Sequence, residues 1–445
     1  TKTLAEFVAN LKYSDISEDA LSHLRLLLLD YIGVASAGAT LAESTKPFLR
    51  AVGRLDTAGG TATVFANDQK WDPRYAALLN AAQSHSLDCD DTHIAAVLHP
   101  GAPIFSTALA EAETSPLKPS VEEFWVAVAS GYEVAVRLGL AIGFGGHEKG
   151  FHTTATAGLY GAICALCVLR KHDVQKVEDA FGLAVSMCGG TQQFMQNGSW
   201  NKRLHPGFAA QSAFTAVAMA EEGVIGAAEP LEGRYGLLTC FGDGKGHWTM
   251  KPLKQHWELL GTAVKPWPAC RFAHGQIELA GEMGEKSQGK RVKSLTVKMG
   301  PSPYQIIGEP VEHKLRPKNI VEAQFSSYYQ TAVAWLRGSK LGWKVYDLVG
   351  DSDVLEFITK ITIDVDKSYD FLETAIDVEY EDGSKENRFL KAPKGEQVNP
   401  VTWEGEKEKF MGFAEAVYGE NRCKEICDVV GKLEQHGISE LMSLV

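Results

Sequence analysis

The chain has 445 residues, 45% hydrophobic and 22% charged, with 44 basic against 56 acidic side chains and a formal charge of −12. That length exceeds what one hydrophobic core usually serves, so two domains are expected. The acidic balance disfavours a broad nucleic-acid face, which needs clustered Lys and Arg, and no apolar run approaches the roughly 20 residues expected of a membrane span. The expectation is a soluble protein with neither nucleic acid nor membrane as partner.

Up to about residue 265 one helical pattern follows another. The segments are "SEDALSHLRLLLLDYIGVASAG", "PRYAALLNAAQSHSLD", "SVEEFWVAVASGYEVAVRLGLAIG", "TATAGLYGAICALCVLRK", "VEDAFGLAVSMCGG" and "FAAQSAFTAVAMAEEG". Ser17 precedes acids of a first turn, Ser120 with Glu123 makes a capping box, and Gly38 and Gly223 stand where glycine stops are expected. Near residue 290 the period changes to two: "KSLTVKM", "KITIDVD" and "TAIDVEYEDGSKENRFLK" read as strands, the last a hairpin turning at Asp382-Gly383. Between them "VEAQFSSYYQTAVAWLRG" and "DSDVLEFITK" read as helices. After the polar "APKGEQVNP" linker, "TWEGEKEKFMGFAEAVYG" and "NRCKEICDVVGKLEQ" return to the helical pattern. The expected architecture is mainly α: an all-helical domain over 1–265, completed by 400–445, with a smaller α+β domain inserted over 266–399.

Eight cysteines are too sparse for a disulfide scaffold and point to a reducing compartment. Cys164 and Cys167 form a C-x-x-C inside an apolar helical segment without the second pair of a zinc site, so packing is expected of them. The opening "TKTLAEFVANL" has neither the apolar core nor the cleavage site of a secretory signal. The expected location is cytoplasmic, or the mitochondrial matrix if a leader was removed.

Four polar islands carry the chemistry. In "SHSLDCDDTHIAAVLHPG", residues 84–101, a continuing helix would bring Asp88, Asp91 and Thr92 to one face. A divalent metal is one use, but no spaced carboxylate-histidine pattern fixes a geometry, so no metal is expected. The bland alternative is a helix end whose aspartates cap the following loop. His99 stands before a Pro-Gly turn at an element end. In "GGHEKGFHTTATAG", His152 directly precedes a helix whose free N–H groups suit a carboxylate. The third island supplies Lys202, Arg203 and His205 from a loop before an Ala-rich helix; the fourth supplies Lys265, Arg271 and His274. An acidic protein that concentrates Lys and His in such loops suits anions.

In this order and on this helical background, "LLLLDYIGVASAG", "AAQSHSLDCDDTHIAAVLHPG", "GFHTTATAG", "KRLHPGFAA", "LEGRYGLL", "VKPWPACRFAHG" and "EAQFSSYYQTAVA" resemble the MmgE/PrpD family. That family includes 2-methylcitrate dehydratase, cis-aconitate decarboxylase and iminodisuccinate epimerase. The resemblance implies a large helical domain with a smaller α+β lid, a homodimer, and no required metal or organic cofactor. It carries active-site positions to Asp88, Thr92, His99, His152, Lys202, Lys265 and Tyr329. The loop from Thr92 to His99 is one residue longer than in the cis-aconitate decarboxylases, which puts the placing of His99 in doubt.

By that resemblance His99 and His152 are expected as acid and base, and Asp88 as orienting group or base. Tyr329 is expected to donate a proton or hydrogen bond. Lys202 and Lys265, joined by Thr92, Arg271 and His274, are expected to bind substrate carboxylates. The expected activity is a cofactor-independent lyase dehydrating or decarboxylating a small di- or tricarboxylic acid through an enolate-like state. An epimerase of a substituted succinate and a non-catalytic carboxylate-binding protein are the alternatives.

Overall fold

Short polar caps start the long helices. Ser17 accepts the Ala20 N–H ahead of Glu18–Leu41, Asp72 accepts the Arg74 N–H ahead of Pro73–His85, and Ser120 forms its reciprocal box with Glu123 ahead of Val121–Ile142. The computed structural model of the protein describes residues 1–242 and 252–445. Its chain divides into two units, Thr1–Val264 together with Thr402–Val445, and Lys265–Val401.

The first unit is built from helices, chiefly Glu18–Leu41, Pro73–His85, Gly101–Thr114, Val121–Ile142, Thr153–Leu169 and Asn201–Glu221. Two of these correct an expectation. Glu18–Leu41 and Val121–Ile142 have the length and mean hydropathy, 1.4 each, of a membrane span. Their apolar windows are 72% and 94% buried within the protein, as core helices require. Gly38 is likewise no stop, because the helix continues to Leu41. A Cβ there would lie 2.0 Å from the Gln83 carbonyl oxygen, so glycine serves the close approach of the Pro73–His85 helix. Gly223, at φ +84°, does follow a helix end. The helical reading also passed over a minimal antiparallel ladder of Ala62–Thr63 with Lys70–Trp71. Two residues per strand leave no periodicity to read.

Cys164 and Cys167 are buried on Thr153–Leu169, where burial pushes both thiols up. Near the C-terminus, Trp403–Tyr418 returns to this unit. Its Lys409 donates to Asp30 of Glu18–Leu41 and, at 3.0 Å, to the Cys89 carbonyl. Glu434 accepts from Trp125 Nε1 at 2.9 Å and pairs with Arg25 at 2.6 Å.

The second unit holds a four-stranded sheet in the order Ile361–Val365, Val292–Met299, Thr374–Tyr380, Lys385–Leu390. The first pair is parallel, with Leu295 opposite Ile361, and the others are antiparallel. Gly383 takes φ +82° in the hairpin turn, as the Asp-Gly dipeptide predicts. Leu295, Val297, Ile376 and Val378 form one core with Ile277 and Ala280 of His274–Lys286 and with Ala332 and Val333 of Ser327–Arg337. The single helix expected from "VEAQFSSYYQTAVAWLRG" is two, Ile320–Gln324 and Ser327–Arg337. Ser326 interrupts it, its hydroxyl accepting the Tyr329 N–H as a new cap.

Candidate active site

The Pro73–His85 helix ends where the acidic island begins, so Asp88, Asp91 and Thr92 do not share a helix face as the spacing suggested. They lie on a loop, and Asp88 itself takes φ +53°. A non-glycine residue in that left-handed region is strained by about 1 kcal/mol, though aspartate tolerates it better than most. The turn sends Asp88, Asp90 and Asp91 to separate partners.

Asp88 accepts from Lys202 Nζ at 2.6 Å, and both side chains are largely buried. Lys202, Arg203 and His205 do not sit on a loop, because the helix Asn201–Glu221 already includes them with Pro206 inside it. The proline sits in the second turn, where it removes one i→i−4 bond without ending the helix. Gly207 lets this helix approach Pro73–His85 closely; a Cβ there would lie 2.6 Å from the Leu78 carbonyl oxygen.

Asp90 holds a histidine. The Nδ1–H of His85, the last residue of its helix, donates to Asp90 Oδ2 at 2.7 Å, while His85 Nε2 is buried and has no hydrogen-bond partner. His99 Nδ1 lies 3.5 Å from the same Asp90 oxygen and 2.8 Å from the Asp91 carbonyl. Donation to that carbonyl leaves the lone pair on Nε2. His85, Asp90 and His99 place one ligand-type atom each within 4.8 Å of one another, the carboxylate-histidine grouping that the linear spacing did not reveal.

Asp91 is fully buried, accepting from Tyr132 OH at 2.6 Å and from the Gly101 N–H at 3.0 Å. Burial, with the neighbouring Asp90 and Asp30 charges, raises its carboxyl to about 8 against the pull of the Tyr132 hydrogen bond. Thr92 is bridged by backbone bonds to Ala263, and its hydroxyl faces the Leu98 carbonyl at 3.4 Å.

His152 is the residue just before the Thr153–Leu169 helix, as read from the sequence. Its ring stacks on His85 at 5.6 Å, lies 6.3 Å from His99, and meets His205 through a 2.9 Å Nδ1 to Nδ1 hydrogen bond. One of these nitrogens carries a proton and the other a lone pair. Burial holds His152 well below the usual imidazole range, helped by repulsion from His205, His85 and Lys202; burial likewise brings His205 down to about 4. Both rings are neutral at pH 7.

In the first unit the structure thus gathers Asp88, Lys202, His99 and His152 from the expected set, and adds His85, Asp90 and His205. The sequence marks His205 only as one residue of an anion-seeking loop, and His85 only as a residue shared by a helical segment and the first polar island, with no role of its own. The signal that could have found it is its place three residues ahead of Asp88.

Lys265, Arg271, His274 and Tyr329 belong to the second unit. Lys265 is buried. Arg271 pairs with Glu396 at 2.6 Å and donates to the Lys394 carbonyl, and its Nη1 lies 2.8 Å from His274 Nδ1. His274 Nε2 is 3.2 Å from the Ala269 carbonyl. The Tyr329 hydroxyl donates to the Val345 carbonyl at 2.5 Å, and burial raises its pKa.

Residues 2–248 match the MmgE/PrpD N-terminal domain and residues 267–435 the MmgE/PrpD C-terminal domain. The chain is 27% identical over 473 aligned residues to the cis-aconitate decarboxylase-like protein oryM of Aspergillus oryzae, covering 100% of this chain and 97% of that protein. It is 24% identical to cis-aconitate decarboxylase of Homo sapiens, covering 98% of this chain and 92% of that one. The Mus musculus enzyme is also 24% identical, with 98% and 90% covered. With both domains matched in order over most of its length, the chain belongs to the MmgE/PrpD family.

Proposed function

We propose that this protein is a lyase acting on a small di- or tricarboxylic acid, by decarboxylation of a cis-aconitate-like or dehydration of a 2-methylcitrate-like substrate, without a cofactor. The observation that carries the reading is one cation, Lys202, paired with Asp88 in the unit that also packs four imidazoles around one another. The names of the relatives point the same way.

Lys202 binds a substrate carboxylate and stabilises charge as it builds on the adjacent carbon. A fixed cation in a water-poor site contributes several kcal/mol to such stabilisation. In decarboxylation the bond to the departing carboxylate breaks, CO2 leaves, and the electron pair passes to the α-carbon, where a proton then quenches it. In dehydration a base takes the α-proton, the electron pair forms the carbon–carbon double bond, and the β-hydroxyl leaves as water with a proton supplied by an acid. His152, whose basicity burial depresses, suits the base role, and His99, its ring 6.3 Å away, is proposed as its partner. A ring whose basicity is depressed gives the proton back readily once it has accepted it, so the same group serves as the acid.

For Thr92 and Lys265 a substrate-binding role, for Tyr329 a catalytic one, and for the chain a homodimer are proposed on the strength of the family. Arg271 and His274 we assign instead to internal support of the second unit, because Glu396 and backbone carbonyls already engage them.

Purified, chelator-treated protein incubated with cis-aconitate, 2-methylcitrate and citrate, followed by NMR, tests the reading. Loss of CO2 or water from one of them is expected; inertness toward all three would overturn it. Deuterium exchange with inversion and unchanged mass balance would favour the epimerase instead. Sedimentation at micromolar concentration checks the dimer.

A further inference from the structure

One carboxylate in the first unit serves two imidazoles. Asp90 Oδ2 accepts from His85 Nδ1 at 2.7 Å and lies 3.5 Å from His99 Nδ1, with Asp90 and His85 both buried. The other acids of the loop are answered elsewhere. Lys202 meets the charge of Asp88, and burial above all keeps Asp91, bonded to Tyr132 of Val121–Ile142, protonated at pH 7. Behind the loop, Lys409 of Trp403–Tyr418 pairs with Asp30 of Glu18–Leu41, beside a Glu406 carboxyl that burial raises far above the usual range.

The histidines divide by that carboxylate. His85 and His99 meet edge to face at 4.8 Å, each with its Nδ1 toward Asp90. His152 and His205 instead share a hydrogen bond between their own Nδ1 atoms, and the groups pressing on His152 are His205, His85, Lys202 and His99, all cationic when charged. An imidazolium is therefore favoured on the Asp90 side and opposed on the His205 side. Of the two rings beside Asp90, the His99 side chain is 14% exposed and that of His85 0%, so His99 is the one a substrate reaches. Its Nδ1–H donates to the Asp91 carbonyl at 2.8 Å, which makes Nε2 the atom that exchanges a proton.

We propose that Asp90 is a positioning residue that divides the two proton roles: its carboxylate makes His99 the acid and leaves His152 the neutral base. This rests on the lyase reading above and assigns its acid and base. A buried carboxylate on the far nitrogen steadies an imidazolium in the same way in hydrolase triads. Dehydration needs acid and base at once, which one ring cannot supply. His152 takes the α-proton, the electron pair forms the double bond, and His99 Nε2 protonates the β-hydroxyl as it departs as water. In decarboxylation the electron pair released with CO2 takes its proton from the same Nε2. Return of a proton from His152 or from water restores His99.

Imidazole nitrogen NMR of the full chain as a function of pH tests the proposal without turnover, with His99→Gln and His152→Gln identifying the two signals. In wild type His99 is expected to protonate at a higher pH than His152. In Asp90→Asn, whose carbonyl can still accept the His85 N–H, the His99 midpoint is expected to fall by about one pH unit or more and that of His152 to move less. The pH profile of kcat/KM supplies a second readout. Its alkaline limb, where His99 loses its proton, is expected to shift to lower pH in Asp90→Asn and to return in Asp90→Glu, while the acidic limb, where His152 gains one, stays. His152 protonating ahead of His99 in wild type overturns the proposal, a comparison that needs no variant to fold. An unmoved His99 midpoint, a shift of the acidic limb alone, or a rate loss equal at every pH also overturns it, the last reducing Asp90 to support of the loop. A displaced His99 midpoint in a protein inert toward every acid offered keeps the role of Asp90 and removes the lyase; turnover with an unmoved midpoint does the reverse.

Discussion

Asp91 shows how a single side chain sets a pH dependence. Its carboxyl is raised to about 8, first by burial and then by the nearby Asp90 and Asp30 charges, so between pH 4 and 8 the folded chain holds a proton that the unfolded chain has released. With more protons on the native state, stability falls as pH rises through that window and levels off above it. Asp91→Asn, which cannot ionise, is expected to remove this loss. The difference in urea-derived stability between wild type and variant should move by several kcal/mol in the variant's favour from pH 5 to 8. A difference that stays constant over that range would show that Asp91 is ionised throughout.

Lys202 carries the catalytic proposal. Lys202→Met is expected to lower kcat/KM by about 10²- to 10³-fold and, by removing the cation 2.6 Å from the buried Asp88 carboxylate, to cost stability of up to about 3–5 kcal/mol, the range for breaking a buried pair. The double variant with Asp88→Asn should recover most of the stability and none of the rate. Recovered rate would mean that the pair serves only the fold.

At the scale of elements, the helices position these residues through close contacts that side chains larger than hydrogen would block. Gly38→Ala puts a Cβ on the Gln83 carbonyl oxygen, so the Pro73–His85 helix must move away. Overpacking of this kind costs about 1–3 kcal/mol. Because His85 and the Asp88 loop hang from the end of that helix, kcat should fall while the melting temperature drops, and an unchanged melt would dismiss the contact.

How much was legible follows from the same distinction. Caps and periods are local, so Ser17, Ser120, the strands and the Asp382-Gly383 turn could all be read along the chain. The role of Gly38 depended on another helix 45 positions away and was misread as a stop. His85 looked like the last polar residue of a helix; only the left-handed turn at Asp88 and the loop beyond it bring Asp90 back to its ring. Lys202 reads as a loop residue ahead of an Ala-rich helix, yet the helix already starts at Asn201 and runs through Pro206, because a proline in a second turn does not end a helix. The residue types of the site were therefore legible from family likeness, while their pairing was not.

On the scale of the whole molecule, connectivity and folding units do not coincide. The last 44 residues of the chain, Thr402–Val445, belong with the first unit, and their contribution is not decorative. Lys409 brings a cation to buried Asp30 and fastens the Cys89 carbonyl between Asp88 and Asp90, Glu406 is buried beside it with its carboxyl raised far above the usual range by burial and by Asp30, and Glu434 ties Arg25 and Trp125. Deleting 402–445 uncovers the apolar face of Glu18–Leu41 and leaves Asp30 a buried charge without its lysine, a defect of several kcal/mol on top of the lost apolar burial. Typical domains are stable by only about 5–15 kcal/mol, so the truncated chain is expected to lose its cooperative melt and to be inactive. The inserted unit has a core of its own, with strands and helices that share one apolar cluster. Residues 265–401 expressed alone should therefore unfold in a single sharp transition by circular dichroism. A broad, non-cooperative melt of that segment, or a normal melt after removal of 402–445, would show that the division of the chain into these two units does not describe how it folds.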